Sequence, residues 1–339
     1  MLSRDHRAQY RGRRVLVTGG LGFIGSNLAH QLVALGADVA IVDALIPGCG
    51  GHRDNVAGLE ERTGIHVVDL RDRPRLDPLV RDREVIFNLA GQVSHIDSME
   101  DPQHDLELNC RAQLSLLEAC RRHNPSARIV FAGTRQIYGR PATLPVDEHH
   151  RVLPTDINGV NKAAAELYHL VYGDVFGLRT CSLRLSNVYG PRQLNRHSRQ
   201  GFIGWFVRLA VEDREIPIYG DGSQQRDLVY VDDAVDAFLR AGASDSTSGE
   251  VFNVGGRELI SLRDLVQRLL EIAGGGRIRF VEWPPDRKAI DVGTFATDSS
   301  KLSARLGWMP RVDLAEGLER TVAFVRRHLA KGGRQGVDG

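Results

Sequence analysis

The segment from Gly19 to Gly25 constrains the fold of this chain more than any other. It reads Gly-Gly-Leu-Gly-Phe-Ile-Gly and joins a short apolar run, Arg13–Thr18, to a helical pattern, Phe23–Leu35. Glycines at this spacing let the chain turn tightly, approach a pyrophosphate closely and bring the helix against the strand, with the helix N-terminus facing the phosphates. The segment therefore predicts a dinucleotide turn, with these contributing residues: Gly19, Gly22, Phe23, Ile24 and Gly25.

Apolar strand patterns and helical patterns alternate along the chain after this turn. Such alternation predicts an α/β fold, a Rossmann-type doubly wound parallel sheet, with a smaller C-terminal α/β substrate lobe. Residues 12–185 form the predicted nucleotide-binding domain and 231–256 return to it. Residues 186–230 and 257–330 form the predicted second lobe, and 1–11 and 331–339 are predicted to be solvated tails.

Composition excludes several classes of function. The formal net charge is +1, so no overall field favours nucleic acid or a membrane surface, and no apolar run reaches the length of a membrane span. The basic N-terminus lacks the apolar core of a signal peptide. The four cysteines show no CxxC or metal-ligand spacing, which favours buried thiols in a reducing cytoplasm and predicts no metal site.

Asp43 ends the second predicted strand, 18 residues after Gly25. A carboxylate there would accept hydrogen bonds from the adenosine ribose hydroxyls and repel a 2′-phosphate, which favours NAD over NADP. The alternative is a solvated loop acid.

Two further segments resemble signatures of the extended short-chain dehydrogenase/reductase family, the sugar-nucleotide epimerases and dehydratases. Phe131–Gly139 is similar to the family's Ser/Thr-x-x-x-Tyr-Gly segment, and Pro154–Lys162 to its Tyr-x-x-x-Lys segment. The resemblance implies that Thr134 hydrogen-bonds the reacting sugar oxygen and that Lys162 binds the nicotinamide ribose. Asn158 stands where the family has its catalytic tyrosine. An asparagine amide cannot exchange a proton in the accessible pH range, but Asn158 could contribute to catalysis by holding a water or a sugar hydroxyl.

The same resemblance implies further contacts with both ligands. Asp69 and Leu70 fall on the adenine contact, and Leu89 and Ala90 on the stretch beside the nicotinamide. On the nucleoside-diphosphate sugar, the implied contacts come from three segments that are distant in sequence: Asn187 and Arg192, then Arg226, then Arg287. A guanidinium fork suits a pyrophosphate, although an ion pair with a neighbouring aspartate is the alternative for Arg226.

Two residues near the predicted chemistry have open roles. Family dehydratases carry an Asp-Glu pair after the Thr134 position and decarboxylases a Glu at the second position, whereas this chain has Arg135-Gln136. Neither can do that acid/base work; Arg135 would either bind an anionic group or be solvated. His95, in the loop after the fourth strand, could replace the phenol because histidine titrates near neutrality, or it is a packing residue.

The sequence thus predicts an NAD-dependent epimerase of nucleoside-diphosphate sugars, acting at C4 or C2 by transient oxidation and re-reduction. Residues 200–206 and 90–93 are most similar to the CDP-tyvelose 2-epimerase branch of the family. Chemistry at another carbon with a different base, or a catalytically silent NAD and sugar-nucleotide binding protein, are the alternatives. Apolar residues at helical spacing in 102–122 and 163–172 predict a homodimer, since the family pairs these helices.

Overall fold

The computed structural model describes residues 4–330 of the chain. Within that range the strands are β1 (Arg14–Thr18), β2 (Asp38–Asp43), β3 (Thr63–Val67), β4 (Val85–Asn88), β5 (Arg128–Thr134), β6 (Arg179–Leu185), β7 (Asn187–Tyr189), β8 (Glu215–Tyr219), β9 (Gln225–Tyr230), β10 (Val251–Val254), β11 (Leu259–Ser261) and β12 (Arg277–Val281). The helices are α1 (Arg4–Tyr10), α2 (Phe23–Leu35), α3 (Arg73–Val80), α4 (His95–Glu100), α5 (Pro102–Leu106), α6 (Ala112–His123), α7 (Ile157–Phe176), α8 (Phe202–Val211), α9 (Val231–Ala243), α10 (Leu262–Ala273), α11 (Pro285–Ile290), α12 (Ser300–Leu306) and α13 (Leu314–Ala330).

Seven strands form one parallel sheet in the order β10-β6-β5-β4-β1-β2-β3. The predicted doubly wound α/β fold is therefore confirmed. The strand order reverses between β1 and β4, and in such sheets ligands bind outside the carboxyl ends of the strands at this point. The glycine turn leaves β1 at that place.

Alternation along the strands builds a core on both faces of this sheet. Val15 and Val17 belong to one buried cluster with Phe87, while Leu16 belongs to a second with Ile86. Side chains on a strand point alternately to its two faces, and a parallel sheet covered on both faces therefore needs continuous apolar strands.

The C-terminal half supplies two small sheets that the sequence patterns did not predict. One has the order β11-β9-β7 and the other pairs β12 with β8. Their strands come from residues 187–281, where glycines, prolines and arginines interrupt the apolar periodicity. Among residues 4–330, no helix is both long and apolar enough to cross a membrane.

The predicted N-terminal tail is wrong for its described part, because residues 4–10 form helix α1. Tyr10 is fully buried and its hydroxyl donates to the Leu239 carbonyl at 2.7 Å, while His6 Nε2 lies 2.7 Å from Asp236 Oδ1. These contacts with α9 stabilise a helix too short and polar to be recognised from its own sequence. The other predicted tail, 331–339, lies outside the described residues.

Helix α5 continues into α6 through one π-helical turn, Glu107–Arg111. The sequence predicted an unbroken helix over this stretch. Asn109 lies within this turn, and its Oδ1 accepts from the Gln92 N–H at 3.0 Å in the loop after β4.

Candidate active site

A cavity of about 530 Å³ opens at the carboxyl ends of the parallel strands. It is lined by nearly all the predicted site residues: Gly19, Gly22, Phe23, Ile24, Gly25, Asp43, Asp69, Leu70, Leu89, Ala90, His95, Thr134, Arg135, Asn158, Lys162, Asn187, Arg226 and Arg287. Segments separated by up to 268 positions in the sequence, from Gly19 to Arg287, are thereby brought to one place.

Arg192 is the exception, and the sequence prediction that it binds the same ligand has no support from its position. Its Nη1 donates to Asn27 Oδ1 at 2.6 Å, and it lines a separate cavity with His30 and Arg320. The backbone at Arg192 has a φ of 71°, so the chain turns there and directs the side chain towards α2.

The glycine turn has the close approaches that its spacing predicted. A Cβ on Gly25 would lie 2.2 Å from the Gly19 carbonyl oxygen, so any side chain there would separate α2 from the turn. Gly19 has a φ of 66°, which favours glycine, and its Cα lies against the backbone of Leu89. The turn can therefore offer backbone N–H groups and a helix N-terminus to a pyrophosphate.

Asp43 lies at the cavity wall and is bonded to the glycine turn. Its Oδ2 accepts from the Leu21 N–H at 3.0 Å and its Oδ1 from the Leu45 N–H at 2.9 Å, while burial raises the pKa of this carboxyl. Two backbone bonds hold the carboxylate in place at the cavity wall, with lone pairs left for ribose hydroxyls. Asp43 is thus not a solvated loop acid.

Asp69 also lines the cavity, but its carboxylate is already engaged. Arg71 binds it through two nitrogens, at 2.9 Å and 2.6 Å, and this hydrogen bonding lowers the pKa of Asp69 despite partial burial. The pair fixes the orientation of the carboxylate beside Leu70.

Lys162 presents a buried ammonium to the cavity. It lies 5.4 Å from the centroid of the Phe131 ring, and among residues 4–330 none accepts a hydrogen bond from its Nζ. Burial lowers the pKa of Lys162 to about 8, while the negative charge of Asp105 opposes this shift. A buried cation without an acceptor fits the ribose hydroxyls that the family's lysine binds.

Asn158 does not face the cavity as a free amide. Its Nδ2 donates to the Gln92 carbonyl at 2.9 Å and to Asp105 Oδ2 at 3.0 Å, and its backbone N–H donates to Ser98 Oγ. Asp105 is 1% exposed and also accepts from the amides of Asn109 and Asn161. Three asparagine side chains therefore satisfy one buried carboxylate.

His95 borders the cavity at the first position of α4, beside a buried carboxylate. Its Nδ1 lies 3.1 Å from Asp156 Oδ2, close enough for charge stabilisation, although the ring is not oriented for a linear hydrogen bond. Its Nε2 hydrogen-bonds to none of the residues between 4 and 330. Burial raises the pKa of Asp156, but contacts with His95, Gly159 and Gln136 outweigh it, so the net shift is downward.

Sequence reasoning missed Asp156, although a signal for it was present. Asp156 is the N-cap of α7, and its Oδ1 accepts from the Gly159 N–H at 2.7 Å. An aspartate directly before a helical pattern predicts this cap. The additional contact with His95, which lies 61 positions earlier, depends on the packing of α4 against α7 and has no local signal.

The arginines of the cavity differ in their partners. Arg226 Nη2 lies 3.1 Å from Asp291 Oδ1, so the predicted alternative of an ion pair is present, with a different aspartate from its neighbours in sequence. Arg287 contacts Asp286 at 3.4 Å. Arg135 is 8% exposed, which contradicts a solvated guanidinium, and it donates to Asn187 Oδ1 at 3.2 Å.

This combination of sheet, glycine turn and cavity defines a class of protein. Residues 15–255 match the model of the NAD dependent epimerase/dehydratase family, and the chain belongs to that family, whose cofactor is NAD. It is 36% identical over 317 residues to the UDP-glucose 4-epimerase of Mycolicibacterium smegmatis, covering 92% of this chain and 98% of the relative.

Two further comparisons agree with this family. The chain is 31% identical to the CDP-paratose 2-epimerase of Salmonella typhi, over 91% of this chain and 97% of the relative. Its fold superposes with a TM-score of 0.83 on the Thermus thermophilus UDP-glucose 4-epimerase in complex with NAD. That structure is 35% identical, with 92% and 99% of the two chains covered.

Proposed function

We propose that this chain is an NAD-dependent epimerase of nucleoside-diphosphate sugars that acts at C4 or C2 of the sugar. The observation that carries the proposal is that one cavity holds the glycine turn, Thr134, Lys162 and the arginines Arg226 and Arg287. These are residues expected to bind a dinucleotide and a sugar diphosphate, and their shared location supports the proposal. The similarity to 4- and 2-epimerases supports the same reaction class.

NAD supplies the hydride acceptor, and later the donor, at one carbinol carbon of the sugar. Thr134 binds the hydroxyl on that carbon, and Lys162 holds the ribose and adds positive potential near the ring. His95 Nε2 takes the hydroxyl proton as the carbon is oxidised and returns it when the sugar is reduced on its other face. Buried Asp156 stabilises the charged imidazole in between.

Elimination and decarboxylation fit this site less well. The positions after Thr134 carry Arg135 and Gln136, and the Gln136 amide donates to Asp156 Oδ2 at 2.6 Å. A neutral amide held in this way cannot protonate or deprotonate a sugar carbon.

One observation favours the alternative of a silent NAD and sugar-nucleotide binding protein. Asn158 is bound within a buried network and cannot exchange a proton, so catalysis requires another residue, for which we propose His95, to act as the base. An epimerase acting at another sugar carbon would likewise depend on a base other than residue 158.

Deuterium transfer distinguishes an enzyme from a silent binder. Nucleotide sugars carrying deuterium at C4 or at C2 are incubated with the NAD-loaded protein, and the cofactor and the sugar are then examined by mass spectrometry. We expect deuterium on the cofactor and a mixture of epimers from one labelled position. If no nucleotide sugar reduces the bound NAD, the redox proposal fails and the silent binder becomes the better description.

The role of His95 is tested by His95→Gln, with exposed His104→Gln as the matched control. Loss of the base should lower kcat by about 10²-fold or more, whereas the control should behave as the wild type. Asp156→Asn, which removes the carboxylate 3.1 Å from the imidazole, should lower kcat without abolishing it, because a protonated imidazole loses its counter-charge. An active His95→Gln variant with unchanged kcat would show that the proton passes through water instead.

We also propose that the protein is a cytoplasmic homodimer. Helix α7 exposes a row of apolar side chains at helical spacing, Val160, Leu167, Val171 and Val175, which are between 49% and 64% exposed. Such a row on one helix face is typical of a helix-pairing interface.

A further inference from the structure

Arg135 is a buried guanidinium that lacks an anionic partner. Its Nη2 donates to the neutral side chain of Asn187, and its Cζ lies 4.8 Å from the centroid of the Phe295 ring. Its Nη1 is buried and has no hydrogen-bond partner among residues 4–330, and no carboxylate in that range forms an ion pair with it. The other buried arginine of the cavity, Arg226, has the carboxylate of Asp291.

A buried charge on Arg135 without an anionic partner is energetically unfavourable in the absence of ligand. Burial lowers the pKa of Arg135 to about 9, and the nearby charge of Arg226 adds to this shift, while Asp227, Asp291 and Asp156 oppose it. The side chain therefore keeps its charge at neutral pH, and that charge is not compensated by a direct contact. A ligand anion within reach of Nη1 would remove the penalty.

The position of Arg135 indicates which part of a ligand meets it. It directly follows Thr134, which we assign to the reacting sugar hydroxyl, and it begins the short helix Arg135–Tyr138. We assign the two phosphate groups of a nucleotide sugar to Arg226 and Arg287, whose guanidinium groups contact Asp291 and Asp286 in the absence of ligand. A third guanidinium beside the sugar is in excess for a neutral hexose.

We infer that the sugar of the substrate carries a carboxylate, as in a nucleoside-diphosphate hexuronic acid, and that Arg135 binds this group through Nη1. The inference rests on the proposed function, since it uses the orientation in which Thr134 meets the sugar. A guanidinium fork matches a carboxylate in geometry and charge, whereas the hydroxymethyl group of a hexose leaves the buried charge uncompensated. Arg135 is thereby the residue that determines specificity for the sugar.

Binding to matched pairs of ligands tests this directly. Calorimetry with NAD-loaded protein compares UDP-glucuronic acid with UDP-glucose, and GDP-mannuronic acid with GDP-mannose, each pair differing only in the carboxylate. We expect the acid of the better-binding pair to bind roughly tenfold or more tightly than its hexose, because a charge-assisted bidentate contact contributes at least that much. Equal affinities, or a preference for the hexose, would overturn the inference without reference to any variant.

Variants separate a sugar carboxylate from the pyrophosphate as the anion that Arg135 binds. Arg135→Gln should abolish the preference within the pair and leave the affinity for the free nucleoside diphosphate unchanged, and Arg135→Lys should keep only part of the preference. Arg226→Gln, the matched control, should lower the affinity for both sugar nucleotides of the pair and for the free nucleoside diphosphate to a similar extent. If Arg135→Gln behaves as this control does, Arg135 binds the pyrophosphate and the inference is wrong.

These outcomes are distinguishable from a failure of the proposed function. Binding with a preference for the acid, but without reduction of NAD, supports the carboxylate site in a silent binder. Binding of hexoses with deuterium transfer overturns only the carboxylate site. If no sugar nucleotide of either pair binds, both proposals fail.

Discussion

Replacing Asn158 by aspartate should make the stability of the protein strongly dependent on pH. The two side chains have nearly the same shape, but the substitution exchanges an amide N–H₂ for an oxygen. That oxygen would face Asp105 Oδ2, now 3.0 Å from Nδ2, and the Gln92 carbonyl at 2.9 Å. Both hydrogen bonds are lost and two carboxylates meet in a site where Asp105 is 1% exposed.

Repulsion between the two carboxylates sets the upper limit of the electrostatic loss in the free energy of unfolding. Two unit charges about 3 Å apart interact with roughly 5 kcal/mol at an effective dielectric constant of about 20. The new carboxyl can instead keep its proton, and from a reference pKa near 3.9 this costs about 4 kcal/mol at pH 7 and about 1.5 kcal/mol at pH 5. Protonation of the new carboxyl costs less free energy than repulsion between two carboxylates, so the cost of protonation determines how much stability the variant loses.

The direction in which stability changes with pH follows from the difference in proton binding between the folded and unfolded variant. The folded-state pKa of the carboxyl at position 158 would be raised above its unfolded value, so the folded variant binds more protons than the unfolded chain above about pH 4. Its stability relative to the wild type should be greatest in acid and fall as the pH rises towards 7. Asn158→Ala, which removes the donor without adding a charge, should cost about 2–4 kcal/mol with little dependence on pH.

Chemical denaturation of wild type, Asn158→Asp and Asn158→Ala at several pH values between about 5 and 8 measures these differences. A variant Asn158→Asp that follows the wild type within about 0.5 kcal/mol throughout would show that no carboxylate lies beside position 158. Asn158→Tyr should also fail to raise turnover, because position 158 is 2% exposed and a phenol there would displace the donor to Asp105.

Three other substitutions test separate parts of the site and surface. Lys162→Met should remove a pH dependence of stability. The lysine has a pKa of about 8 in the folded protein, so it loses its proton at lower pH there than in the unfolded chain. The stability of the wild type relative to the variant should therefore rise by on the order of 3 kcal/mol between about pH 8 and 10.5. Asp43→Ala should lower NAD affinity about tenfold and reduce discrimination against NADP, measured by titration with both cofactors; equal wild-type affinities would contradict the ribose assignment. Leu167→Glu should shift sedimentation from dimer to monomer, whereas Met309→Glu, at an equally exposed apolar residue away from α7, should not; a wild type that is monomeric at micromolar concentration would refute the proposed interface.

The parts of the fold that the sequence predicted are those with a local physical cause. The turn between β1 and α2 needs glycines at Gly19 and Gly25 because backbone atoms approach within contact distance there, and this requirement is visible in the sequence. The parallel strands are equally visible, since burial on both faces demands continuous apolar runs. Residues at the ends of those strands, such as Asp43 and Thr134, were then placed at the cavity by the geometry of the sheet.

The remaining features depend on contacts between distant segments. Helix α1 is held by α9, and the contact of Tyr10 with Leu239 spans 229 positions. Arg192 was assigned by its place in a family segment, but the positive φ of its own backbone turns it towards Asn27. The Asp105 network was hidden because its asparagines lie on the π turn and on α7, which meet only through packing between segments distant in sequence.

The resemblance to the family predicts other side chains at positions 136 and 158, and the two residues present there lie on either side of the start of helix α7, Gln136 bound to Asp156 and Asn158 to Asp105. Gln136 Nε2 lies 2.6 Å from Asp156 Oδ2, so a glutamate at 136, which the decarboxylases carry, would place a second carboxylate against the first. The neutral amide allows Asp156 to stay ionised beside His95. In the first turn of the helix that Asp156 caps, Asn158 is directed towards Asp105. A site that had merely lost its tyrosine would not also need a residue at 136 that stabilises the charge behind a histidine. Both contacts are therefore consistent with the proposed mechanism, in which His95 rather than residue 158 carries the proton.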